Sequence, residues 1–276
     1  MTASVESTRQ ADKPTRRGKS ELWEKLSYVA YPTAFVIFLV GVWQWYVTAN
    51  DVSKFTLPPP MDVLRELIDE WDLILENVWP TFQEVAYGFI IASVLGILIA
   101  VLIASIPIVE RTIYPVLVGL LVVPKIAIAP LFVIWFGFGV KPKVIIVVLL
   151  AFFPIVVDMA LGLKSVPEDM IALCRSMGAS RLKTFWKVRF VYALPNLFVG
   201  LKVAMALAVV GAVVGEFVQS SEGLGYRLLQ AQAQGKTDQF FAVILVLTAM
   251  GVLLYIAVDI VERVVLRSRR SGGDEG

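Results

Sequence analysis

The apolar positions of this chain fall in long runs, and the short stretches between them hold nearly all of the charge. A helix needs about 20 apolar residues, at about 1.5 Å of rise each, to cross a bilayer. Six segments meet that length: 28–48, 82–106, 113–138, 143–163, 197–217 and 240–261. Pro124, Lys125 and Pro130 interrupt the third, so a broken helix is expected there. Two polar stretches carry helical periodicity of their own. After Pro58 to Pro60, residues Leu64, Leu67, Ile68, Trp71 and Ile74 fall on one helical face, among Asp62, Glu66, Asp69, Glu70 and Glu76. That pattern predicts an amphipathic helix over 58–78, serving either as a docking surface or as an interfacial helix.

The second stretch, 164–195, lies between spans four and five. Pro167 followed by Glu168 and Asp169 is a helix start, with fixed φ and acids near the positive end of the dipole. Met170, Leu173, Cys174 and Met177 form one stripe. Gly178 is placed to end this helix as a left-handed residue, and Ser180 to cap a second one. Leu182, Phe185, Trp186 and Arg189 share a face of the second helix, with Arg181, Lys183 and Lys187 elsewhere; Pro195 opens the next span. Several readings stand on physics alone: an interfacial helix on anionic lipid, a positive topology signal, packing on the chain's own core, or a protein-docking helix anchored by Phe185 and Trp186.

Composition agrees with the runs. The chain is 58% hydrophobic and 17% charged, and its net charge of +2 gives no electrostatic footprint for nucleic acid. Histidine is absent, which removes the usual general base and metal ligand, and the single cysteine allows no internal disulfide. Gly178, Lys183 and Thr184 mimic part of a phosphate loop, but Lys183 stands where its second glycine belongs. No catalytic residue, metal or cofactor is assigned. Residues 1–26 are polar, and the first apolar run starts only near Ser27 and is over twenty residues long, which is no signal peptide; 1–26 is expected to be a disordered tail. The membrane domain covers 27–266, with core spans over 82–266, and 267–276 is a second tail. With six spans, Lys and Arg number seventeen on the side of the N-terminus and six on the other, so both termini and 164–195 are expected in the cytoplasm.

The run Ala172 to Arg181, followed by Ala193-Leu194-Pro195, resembles the cytoplasmic EAA-loop signature of type I ABC importer permeases. "LPPP", "TFQEVAYGF", "PKIAIAPLFVIWFGFG" and "VVGAVVGEF" are similar to the nitrate/sulfonate/taurine branch, which includes permeases for thiamine-precursor pyrimidines. The signature's glutamate position holds Ala172, its two alanines are Leu173 and Cys174, and its first Leu-Pro is Phe190-Val191. The resemblance implies an all-α fold of six transmembrane helices in a bacterial inner membrane and a permease homodimer. It also implies a cytoplasmic ATPase that receives Gly178, Ala179, Ser180, Arg181, Leu182, Phe185 and Trp186. A periplasmic binding protein would deliver a sulfonate-, taurine- or nitrate-like anion or a pyrimidine.

Within the spans, Gly200, Ala204, Ala208, Ala212 and Gly215 recur about every four residues, a spacing that lets helices approach closely. Packing inside one subunit and a dimer or pathway face are both open, and the resemblance favours the pathway, with Gly211 and Gly215 as candidates. Intramembrane charge marks function by default. Lys125 is a candidate to attract an anionic substrate or to pair with Asp158 or Glu216, and Glu216 stands at the position of an outer gate. Lys202 and Asp158 are expected to snorkel. A secondary transporter or channel with an ion site at Lys125 is the alternative function; an intramembrane enzyme lacks a motif around Asp158 or Asp259.

Overall fold

The structure, a computed structural model, describes residues 17–271, and side chains over 30–267. It contains helices and no strand among the described residues. Eleven helices follow in order: α1 (Arg17–Ala49), α2 (Pro60–Asp69), α3 (Trp71–Ser105), α4 (Pro107–Leu121), α5 (Lys125–Phe136), α6 (Val140–Lys164), α7 (Glu168–Ser176), α8 (Arg181–Thr184), α9 (Phe190–Val218), α10 (Leu224–Ala233) and α11 (Thr237–Ser271). A π-helical turn, Phe185–Arg189, joins α8 to α9. The chain divides into two compact units at Met61. Of the expected tails, 1–16 and 272–276 lie outside the described residues, whereas 17–26 belongs to α1 and 267–271 to α11.

Among the described residues, five helices are long and apolar enough to cross a membrane: α1, α3, α6, the continuous α8–α9 and α11. α4 and α5 make a sixth crossing only as a pair bent by 99°. The break falls at Val122 to Pro124, where proline was expected to interrupt the helix. Pro124 has no N–H to offer the carbonyl four residues back, so the ladder stops there.

Two boundaries differ from the expectation. The amphipathic helix over 58–78 is cut at Glu70 into α2 and the start of α3. Glu70 carries no residue-level signal for a break; packing decides it. Behind the break Ile74 is fully buried and before it Val63 is buried, while Leu64, Ile68 and Trp71 of the expected apolar face stay exposed. The fifth span does not open at Pro195, which sits inside α9; the helix runs back through the π turn into α8.

The core of the second unit is α6 held between α3 and α9. Close approach requires glycine on both sides. A Cβ on Gly88 of α3 would lie 2.3 Å from Val147 Cγ1 of α6, and one on Gly96 would lie 2.8 Å from Ile155 Cγ2. From α9, a Cβ on Gly211 would lie 2.9 Å from the Val147 Cα, and one on Gly200 2.9 Å from the Pro154 carbonyl. Ala92, Ala100, Ala204, Ala208 and Ala212 are buried along the same two seams. Lipid tails give no hydrophobic drive for helices to associate, so contact area through small residues must supply it.

Candidate functional site

At one end of the bundle, α7, α8 and the π turn form a compact basic-aromatic knob. Gly178 has φ +74 and ends α7. The Gly178 amide donates to the Arg175 carbonyl at 2.9 Å and the Ala179 amide to that of Cys174 at 3.0 Å. These are the two bonds of a Schellman stop. Ser180 then caps α8, its Oγ accepting from the Lys183 amide at 3.3 Å. The chain therefore reverses through two residues, Gly178 and Ala179, and leaves little slack. The knob is apolar and uncovered: Met177 is 78% exposed, Trp186 54%, and Leu173 and Leu182 are exposed beside them. Phe185, half-buried, meets Trp186 edge-on at 5.3 Å between centroids, and Trp186 meets Phe190 at 5.1 Å. Because α8, the π turn and α9 are one continuous helix, Trp186 is fixed to the end of a core helix rather than to a loop. π turns of this kind are frequent at functional sites.

At the opposite end, a buried polar cluster ties four helices together. α3 offers Asn77, Thr81 and Glu84 on one face, at helical spacing. Glu84 forms an ion pair with Lys143 of α6; the two residues are 1% and 2% exposed. Lys143 Nζ also donates to Ser220 Oγ at 3.1 Å. Thr81 donates its hydroxyl to Glu216 Oε1 at 2.6 Å and accepts from the Leu224 amide at 2.8 Å. Glu216 accepts from the Gly225 and Tyr226 amides, so it caps the N-terminus of α10 from α9. Asn77 Oδ1 accepts from the Gly223 amide at 2.8 Å. Gly223, at φ +102, is obligatory here: a Cβ would fall 2.0 Å from Glu216 Oε1.

This arrangement places the sequence candidates. Gly215 and Gly211 lie buried in the α6–α9 seam, and a Cβ on Gly215 would sit 3.1 Å from Lys143. There they let α9 approach α6 closely within one chain. Glu216 is occupied by α10 and Thr81 and does not pair with Lys125. Lys125 instead donates to the Leu121 carbonyl at 3.3 Å and stands 4.4 Å from the Phe153 ring centroid. Lys202 bonds Asp259 at 2.5 Å and Glu262 as well, joining α9 to α11 rather than snorkelling. Asp158 rests against Gly200 of α9. Sequence reading missed the Glu84–Lys143 pair because Lys143 stood at a span boundary and passed for a loop lysine. The signal was Glu84 itself, an acid inside the second predicted span that needs a cation.

Residues 92–269 match the family described as binding-protein-dependent transport system inner membrane component. The formylaminopyrimidine transport permease protein of Halalkalibacterium halodurans is 36% identical over 249 residues, 89% of this chain and 99% of that protein. A probable ABC transporter permease protein of Haemophilus influenzae is 33% identical over 228 residues, 83% and 93%. Others are named as aliphatic sulfonate, nitrate and taurine permeases. Among solved structures, the inward-facing MetNI methionine ABC transporter matches with TM-score 0.63 and 22% identity, covering 71% of this chain and 98% of its own, a likeness of fold. With a family match over most of its length and these relatives, the chain belongs to the binding-protein-dependent inner-membrane permeases of ABC importers, in the nitrate/sulfonate/taurine branch.

Proposed function

We propose that this chain, as a homodimer, forms the translocation pathway of an ATP-driven importer and that Gly178 to Trp186 is its contact with a separate cytoplasmic ATPase. A periplasmic binding protein delivers the small-molecule substrate from the other side. The observation that carries the proposal is the exposed knob of Met177, Leu182 and Trp186 on a helix continuous with α9. Uncovered aromatics beside basic residues are what a partner pocket takes up as anchors. The seventeen-to-six bias of Lys and Arg supports a cytoplasmic knob.

The mechanism follows from the lack of slack. When ATP draws the two ATPase subunits together, each takes Trp186 and Leu182 with it. The Schellman stop and the Ser180 cap hold α8 as a short stiff lever, and the π turn passes its displacement into α9. α9 carries α6 through the glycine seam, and α11 through Lys202. A change driven by nucleotide requires contacts that differ between the two states, and the knob is where this chain can make them. Ala172 occupies the signature's glutamate position, so the docking here uses apolar and basic side chains without that carboxylate.

Co-purification with the ATPase tests this. Trp186→Ala removes an exposed side chain with little effect on the fold, and it is expected to lower both retained ATPase and transport by about tenfold or more. Equal retention and equal transport in the variant would refute the docking assignment. A loss of lipid association with ATPase retention intact would show that the knob rests on the membrane.

A further inference from the structure

The amphipathic stretch that opens at Pro60 belongs to the end of the bundle away from the knob, and it helps to wall a groove. Leu67 of α2 with Trp71 and Phe82 of α3 form one side, and Leu245, Met250 and Leu254 of α11 form the other. The groove encloses about 570 Å³, within the range of ligand sites. Every side chain that lines it is hydrophobic. Its length follows from helical rise. Trp71 to Phe82 is eleven residues and Leu245 to Leu254 is nine, so the two walls run about 16 Å and about 14 Å. One leaflet of a hydrocarbon core about 30 Å thick is about 15 Å deep. The groove therefore matches an acyl chain lying along the bundle, and its walls offer nothing to a polar ligand.

The mouth of the groove is charged. Glu66 and Glu70 precede the lining residues Leu67 and Trp71, and Asp238 stands two turns before Leu245 on the same face of α11. All three are half-buried, and none is in an ion pair among the described residues. Asp238 Oδ1 accepts only from the Gln239 amide, at 2.9 Å. Burial, then Asp238 and Glu70, push the Glu66 carboxyl above its ordinary range; Lys236, exposed just before α11, opposes them, and Asp69 adds to them. The mouth is therefore short of positive charge. An anionic headgroup would be repelled there. A headgroup ending in a primary ammonium brings three N–H donors to the carboxylates, and its phosphate answers Lys236. A choline headgroup has the charge without the donors. Trp71, 47% exposed, places an indole at this mouth, where membrane proteins hold tryptophan at headgroup level.

We propose that the groove between α3 and α11 binds a phospholipid of the phosphatidylethanolamine class, with one acyl chain along its walls and the ammonium among Glu66, Glu70 and Asp238. The lipid fills the space between two core helices and gives the charged face of α2 its counter-ion. Its leaflet, the outer one, rests on the importer reading and its cytoplasmic knob; the site itself does not.

The full chain, purified with its ATPase and stripped of lipid in detergent, is offered equimolar dioleoyl phosphatidylethanolamine, phosphatidylcholine and phosphatidylglycerol in mixed micelles. Native mass spectrometry counts the lipids each chain retains. Phosphatidylethanolamine should be retained over phosphatidylglycerol by about tenfold, the worth of one charge-assisted hydrogen bond. Glu66→Gln with Glu70→Gln should erase that preference. Ala249→Trp, which fills the groove from its α11 wall, should lower retention of phosphatidylethanolamine to the level of the other two. Equal retention of the three lipids by the wild type, a preference for phosphatidylglycerol, or a Gln variant that keeps the preference would each overturn the assignment. So would an Ala249→Trp variant that retains as much phosphatidylethanolamine as the wild type. A disulfide between copies formed by Ala249→Cys in a Cys174→Ser background would show a second copy covering the groove, and would overturn it as well. Failure of the wild-type chain to retain an ATPase would instead sink the importer reading, and with it the leaflet, while the lipid result stands.

Discussion

Replacing Lys143 with methionine should be among the most damaging single changes in this protein. Lys143 and Glu84 are almost wholly enclosed, and no hydroxyl or amide supports the carboxylate in place of the ammonium. Removing one partner of a buried pair leaves an uncompensated charge, at a cost of about 3–5 kcal/mol. Ser220 Oγ also loses its donor, about 1 kcal/mol more. For a domain of this size each kcal/mol moves the melting point by about 2–4 °C, so a fall on the order of 10 °C is expected. The double variant Glu84→Gln with Lys143→Met carries no buried charge of this pair and should recover much of the loss. Thermal unfolding of all four proteins in one detergent, as a double-mutant cycle, reads the coupling directly. A single variant that melts with the wild type, or a double variant no more stable than Lys143→Met, would refute the claim that the pair is locked by mutual neutralisation.

Two further outcomes follow from the same geometry. Gly88→Ala should separate α3 from α6, because the new Cβ would sit 2.3 Å from Val147 Cγ1 and 2.4 Å from Val147 Cβ; an overpacking loss of about 1–3 kcal/mol is expected in thermal unfolding, and Val147→Ala should not relieve it fully, because alanine keeps the Cβ. Cys174, the chain's one cysteine, lies on the knob; an impermeant maleimide should label it in inverted membrane vesicles and not in intact cells, and the reverse pattern would invert the proposed topology.

How much of this was legible beforehand depends on how local each feature is. The five uninterrupted spans, the break near Pro124, the stop at Gly178 and the cap at Ser180 could all be read from residues, because hydrocarbon thickness, proline's missing N–H and a left-handed glycine act within a few positions of the chain. The same local reading failed at Glu70. A helix-compatible residue breaks the helix there because Val63 and Ile74 must both turn inward, and periodicity along one strand of sequence has no knowledge of what lies across the seam.

By itself, then, the sequence determined an all-helical membrane chain of up to six crossings, with a basic, glycine-hinged loop and a bias of positive charge to one side. These properties are sums over residues, and they need no partner. Only the tertiary structure decided which charge answers which. Lys143 finds Glu84 across 59 positions of chain. Glu216 goes to the amides of α10, Lys202 goes to α11, and Gly211 and Gly215 go to the seam with α6. In a medium without water each buried polar group must be matched by whatever the fold brings beside it. That pairing is fixed by helix approach, and it is what leaves Lys125 with a carbonyl and an aromatic face at the helix break.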